Sequence, residues 1–177
     1  MKDKSKRIAL AGIGSAISLL FVVAGYYLDM ISLTMNVFAT AGLMLTLYKG
    51  YYREAVLSFI VVSGLGFLIV NIGAVPFIMV GGSYTIFTLF WENKGYNYYK
   101  SLPIKIAYSA LVFFILYQVI NYIAIDFERF SILKNLNKGL LYFLMNLAFS
   151  ILFVVYDSLL LLCYRYLKNK VFNKIIK

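Results

Sequence analysis

The chain has 177 residues, of which 63% are hydrophobic, 18% aromatic and only 14% charged. That balance lies outside the range of ordinary soluble domains and reads as an integral membrane protein. Its formal net charge of +10 comes from short clusters of Lys and Arg between long apolar stretches. Such clusters act as topology signals and not as a nucleic-acid face. Absence of His, together with a lone cysteine, Cys163, removes an intramolecular disulfide, a Cys-rich metal cage and the commonest general base and metal ligand.

Six apolar segments qualify as spans of a hydrocarbon core about 30 Å thick. They run Ile8–Leu28, Ile31–Tyr48, Ala55–Ile72, Pro76–Trp91, Pro103–Ile125 and Gly139–Cys163. The first is a full span with no small-residue cleavage site after Tyr26-Tyr27-Leu28-Asp29, so it is taken as a helix and not a cleaved signal. The fourth is short. Pro76 and Pro103 are expected to open their helices, where a missing N–H costs nothing. The expectation is an all-α, six-helix membrane bundle forming a single domain over 1–177.

If both termini, the KGYYRE loop and the Lys94–Lys105 stretch share a side, that side carries 14 of the 17 basic residues. The positive-inside rule then puts both termini in the cytoplasm. Trp91, Tyr96, Tyr98, Tyr99, Tyr164 and Tyr166 fall near the inner boundary, as an aromatic belt would.

On the first helix, Ala9, Gly12 and Ala16 fall within about 60° of one another, and Ala11, Ser15 and Ser18 form a second stripe nearly opposite. Small residues let helices approach closely in lipid. One stripe serves the chain's own bundle; the other is open to a second bundle neighbour or to a partner subunit. The basic N-terminus running into this Ala-rich helix, with six spans in fewer than 200 residues, resembles the substrate-binding S components of energy-coupling factor (ECF) vitamin transporters. GGSYTIFTLFWENK, PIKIAYSALVFFILY and FVVYDSLLLLCYRYL further resemble segments of small bacterial membrane proteins of S-component-like layout, which bring no substrate with them. The resemblance implies capture of a vitamin-like nutrient at the outer side of a bacterial plasma membrane. It also implies contact of Ala11-xxx-Ser15 or Gly12-xxx-Ala16 with a transmembrane coupling protein that joins a pair of ATPases.

Polar side chains at membrane depth are costly and mark sites. The topology puts Asn36, Asn71, Gln118, Asn121, Tyr122, Tyr142 and Asn146, from four helices, at one outward level. Amides and phenols of this kind can hydrogen-bond a small molecule without committing a charge. Tyr26, Tyr27 and Asp29 are candidates for a wall and a lid. The alternative is that these groups cap backbones or bond across helices. Gly81-Gly82-Ser83 permits close packing or ligand approach. No metal set, ATP loop, cofactor motif or catalytic grouping is visible, so no enzyme is expected, and DFERF (Asp126, Glu128, Arg129) reads as a solvated loop. The competing function is a membrane scaffold or assembly factor.

Asp157 interrupts the last apolar run about 7 to 8 Å from its inner end. It shares a stripe with Ser150, Asn146 and Tyr142. An ion pair with Lys105 is expected, with Tyr108 or Tyr156 nearby and Arg165 as the second candidate; a proton or ion site is the other use of such a carboxylate.

Overall fold

The computed structural model describes residues 2–28, 31–48, 50–95, 98–122 and 138–172. Among these, every regular element is helical. Six α-helices follow in order: α1 (Lys2–Tyr27), α2 (Ser32–Leu47), α3 (Tyr52–Val70), α4 (Ser83–Asn93), α5 (Tyr98–Tyr122) and α6 (Lys138–Leu167). Asp29, Lys49, Tyr96, the DFERF loop and the basic residues Lys134, Lys174 and Lys177 lie outside the described residues, as do the side chains of Tyr98, Tyr99, Asn121 and Tyr122.

Among the described residues, four stretches are long and apolar enough to cross a membrane: Lys4–Tyr27, Tyr52–Ala74, Lys100–Gln118 and Gly139–Lys170. Thr34–Leu47 is apolar but shorter. The fourth expected segment is composite, because a π-helical stretch, Phe77–Gly82, precedes α4. Pro76 sits in helical conformation immediately before it, as a proline at a helix start should. A π turn leaves carbonyls out of register with the following α-helix. Two hydroxyls take them up, Ser83 Oγ donating to Met79 O at 3.0 Å and Thr85 Oγ1 to Gly81 O at 2.6 Å.

Pro103 does not open its helix. α5 begins at Tyr98 and carries Pro103 inside it. Only one early rung is lost at this position, the bond to the Tyr99 carbonyl, so the helix survives the proline. Ser101, which precedes Pro103, is buried, and packing holds this first turn. α1 likewise starts earlier than the apolar run, so its basic residues are themselves helical, and α6 continues past Cys163 into a π-helical turn, Lys168–Phe172.

The chain forms two compact units, residues 1–96 with 160–177, and residues 97–159. In the first, Val22, Ala39, Leu43, Val62, Val70, Ala74 and Phe77 make the core. α1 and α2 meet at Gly14 and Gly42, where a Cβ on either residue would run into the other's carbonyl. Ser18 Oγ, one turn on, donates to Ala39 O at 2.7 Å. α3 joins α1 through Ser58 Oγ, which donates to Ala11 O at 3.3 Å. Backbone approach and hydroxyl-to-carbonyl bonds of this kind hold helices whose apolar surfaces gain nothing by leaving lipid. α3 ends at Asn71, whose φ of 51° turns the chain into the 3-10 turn Asn71–Ala74. The Tyr26 ring lies against Gly73 in that turn, where no side chain would fit.

The C-terminal part of the first unit is tied in by polar bonds. Tyr164 OH donates to Asn93 Oδ1 at 2.9 Å, and Asn93 Nδ2 donates to Leu47 O at 3.2 Å, at the end of α2. Arg165 places Nε and Nη2 at 2.9 and 2.8 Å from Glu92 Oε1. In the second unit α5 and α6 run antiparallel, since partners fall in number on α6 as they rise on α5: Lys105 with Asp157, Ser109 with Ser150, Phe113 with Phe149, Tyr117 with Tyr142.

Candidate functional site

The α5–α6 pair concentrates the polar chemistry of the second unit along one seam. Lys105 Nζ donates to Asp157 Oδ2 at 2.7 Å, and both side chains are almost wholly buried, 6% and 2% exposed. The geometry needs opposite ends of two antiparallel helices to supply the two charges at equal depth. Lys105 stands early in α5 and Asp157 late in α6, which meets that condition. Arg165, the alternative partner, is engaged by Glu92 instead. Tyr108 and Tyr156 both stack on Phe153, one turn before Asp157 on α6.

One turn beyond Lys105 on α5, Ser109 Oγ donates to Ile106 O at 2.8 Å and lies 3.2 Å from Ser150 Oγ. Ser150 Oγ in turn donates to Asn146 Oδ1 at 3.4 Å. The stripe read from α6 therefore carries Asp157, Ser150 and Asn146 against Lys105 and Ser109 of α5. Beside it lies an open cavity of about 580 Å³, into which Asn146 and Ser150 bring the polar groups and Ile106, Phe143, Ile151 and Val154 the apolar walls. This volume falls in the range of small-molecule sites, and an apolar lining with two polar handles is their usual composition.

The remaining expected site residues sort differently. Tyr142 packs its ring against Phe113 and Tyr117, with centroids 5.5 and 4.9 Å away. Gln118 is exposed near the end of α5, and Asn121 and Tyr122 share that helix. Asn36 and Asn71 belong to the first unit. Asn36 Nδ2 donates to Ser32 O at 3.0 Å, while its Oδ1 is buried with no hydrogen-bond partner among the described residues, as is Ser63 Oγ. Asn71 is exposed and serves the turn that ends α3. Tyr26 and Tyr27 are exposed and stack edge-on, 5.3 Å between centroids. Gly81 and Gly82 face Thr40, Phe59 and Phe77, a packing use.

Of the first-helix residues, Ala11 accepts the Ser58 bond and Ser15 is half-buried, whereas Gly12 and Ala16 are exposed, and a Cβ on Gly12 would meet nothing within 4 Å. Ser109 is outside the expected set, although it follows Lys105 by four residues and so shares its face. Ile106, Ile151 and Val154 carry no sequence signal, because an apolar wall inside an apolar helix looks like any lipid-facing residue. Tyr164 is legible in the sequence only as a boundary residue. No group of three or more potential metal ligands exists among the described residues. The chain matches no family model, no curated protein and no solved structure.

Proposed function

We infer that this chain is a six-span protein of a bacterial plasma membrane, with both termini cytoplasmic, that captures a small, largely apolar molecule through one hydrogen-bonding group. In this reading the α5–α6 cavity takes the ligand's apolar body, while Asn146 and Ser150 bind its polar end. The observation that carries the reading is that cavity, with a carboxamide and a hydroxyl on an otherwise apolar wall. The resemblance of the first helix and the six-span layout to ECF S components supports an uptake role. Transport would then be driven by a separate coupling protein and ATPase pair, which Gly12 and Ala16 are exposed to meet. A scaffold without small-molecule transport is the second reading, favoured by Tyr142, whose ring is already occupied by packing.

Mass spectrometry of small molecules that co-purify with the full chain tests the capture reading, comparing wild type with Asn146→Leu. Enrichment of a compound by the wild type and its loss in the variant supports capture. If nothing is enriched, and a panel of vitamin-like heterocycles leaves thermal stability unchanged, the scaffold reading replaces it.

A further inference from the structure

The start of α1 and the turn into α3 form an open hollow of about 500 Å³ in the first unit, lined by Arg7, Gly50, Tyr51, Tyr52, Arg53 and Glu54. Arg7 holds its guanidinium 4.7 Å from the Tyr51 ring centroid. Among the described residues its ion-pair partner is Glu54, whose Oε1 is 3.9 Å from Nη1, the far limit of an ion pair, and 44% of the Arg7 side chain remains exposed. Arg53 is exposed and makes no ion pair among the described residues. The lining of the hollow thus holds two guanidinium groups and one loosely engaged carboxylate, an excess of positive charge.

Below Arg53, α3 presents Leu57, Ile60, Gly64 and Leu68 at successive spacings of three or four residues, and all of them are exposed. They form one stripe with Arg53. From Leu57 to Leu68 the stripe runs about 16 Å along the helix. Ile8, next to Arg7 on α1, is 69% exposed. A cationic hollow at the head of an exposed apolar stripe has the polarity of an acidic lipid.

We propose that the Arg7–Arg53 hollow binds the phosphate of an anionic phospholipid, with an acyl chain lying along the Leu57–Leu68 stripe. The proposal rests on the membrane-spanning reading above. Guanidinium forks recognise phosphate oxygens bidentately, and basic pockets on the cytoplasmic side of membrane helices collect acidic headgroups. Inorganic phosphate would use the hollow but not the stripe. A zwitterionic lipid would use the stripe but bring its own cation to the hollow.

The test begins by washing membranes that contain the full chain with alkaline carbonate. Release of the protein refutes the membrane-spanning reading and the lipid site with it; retention upholds the first and leaves the second to be decided separately. Native mass spectrometry of the detergent-solubilised chain then compares phosphatidylglycerol with phosphatidylcholine. Phosphatidylglycerol should be retained preferentially, with affinity falling about fivefold in Arg53→Gln and roughly thirtyfold when Arg7→Gln is added. Leu57→Gln should weaken lipid retention, and Lys170→Gln should leave it unchanged. Equal retention of the two lipids, an unaffected double arginine variant, or displacement of phosphatidylglycerol by millimolar inorganic phosphate together with an unaffected Leu57→Gln would each overturn the proposal. So would a detergent-stable dimer that covers the stripe and excludes lipid.

Discussion

Removing the carboxylate of Asp157 should unfold the second unit more readily than any other single side-chain truncation there. Asp157→Ala removes the carboxylate 2.7 Å from the Lys105 ammonium, whose side chain is only 6% exposed. Breaking a buried pair from one side typically costs about 3–5 kcal/mol, because an uncompensated charge remains behind. Dividing by about 1.4 kcal/mol per power of ten, the folded fraction relative to unfolded falls by roughly two to three and a half powers of ten. Screening by salt is no remedy at such burial. The diagnostic variant is the double replacement Lys105→Met with Asp157→Leu, which fills similar volume without charge. It should recover wild-type stability or exceed it, because the desolvation cost of both charges disappears with their attraction. Equilibrium unfolding in mixed micelles, titrated with dodecyl sulfate and followed by circular dichroism, measures all three proteins. If Asp157→Ala costs less than about 1 kcal/mol, the value of a solvent-exposed pair, the burial argument fails. If the double variant is less stable than wild type, the pair is itself a source of net stability and the reasoning about desolvation is wrong.

Two contrasts in the first unit follow from its packing. Gly14→Leu should destabilise by about 1–3 kcal/mol or separate α1 from α2, since the added side chain runs into the Gly42 carbonyl, whereas Gly12→Ala, which meets nothing, should be neutral in the same unfolding titration. Tyr164→Phe removes the bond to Asn93 Oδ1 and should lower stability by about 1 kcal/mol, with Asn93→Ala costing at least as much because it also frees the Leu47 carbonyl; equal stability of all three would show that the chain of bonds carries no weight.

Charge and length make part of this structure legible in the sequence. Asp157 stood out because an apolar run tolerates a carboxylate only with a partner, and antiparallel order left Lys105 as the group of opposite charge at the same depth. What the sequence hid has a common cause. Along the first helix the small residues fall on several faces, and nothing in composition distinguishes Gly14, which meets a second glycine, from Gly12, which meets nothing. The decisive fact is the position of Gly42 on another helix. Pro103 misled for a different reason: the rule that prolines open helices is local, while the turn before it is held by burial of Ser101. The expected outward ring of amides rests on depth alone, and depth does not say which way a side chain turns. Asn71 turned out to close a helix, and Tyr142 to fill an aromatic stack.

The polar residues of α5 and α6 differ in how completely their hydrogen-bonding capacity is used, and that difference bears on where a ligand would bind. Lys105 and Asp157 are joined at 2.7 Å with little exposure, a short, charge-assisted contact that a neutral ligand has no means to displace. Ser150 and Asn146 meet at 3.4 Å, a length at which little is lost when the bond is exchanged for another. They also stand on the cavity wall, whereas Lys105 and Asp157 do not line it. An incoming carbonyl or hydroxyl can therefore replace the Ser150–Asn146 bond at small cost while the ion pair, about two turns beyond Ser150 and three beyond Asn146, keeps the two helices in register. The strongest interaction of the pair is structural, and the weakest one marks the ligand site; Ser150→Val, which removes the weak bond and spares the ion pair, should abolish capture while leaving unfolding within about 1 kcal/mol of wild type.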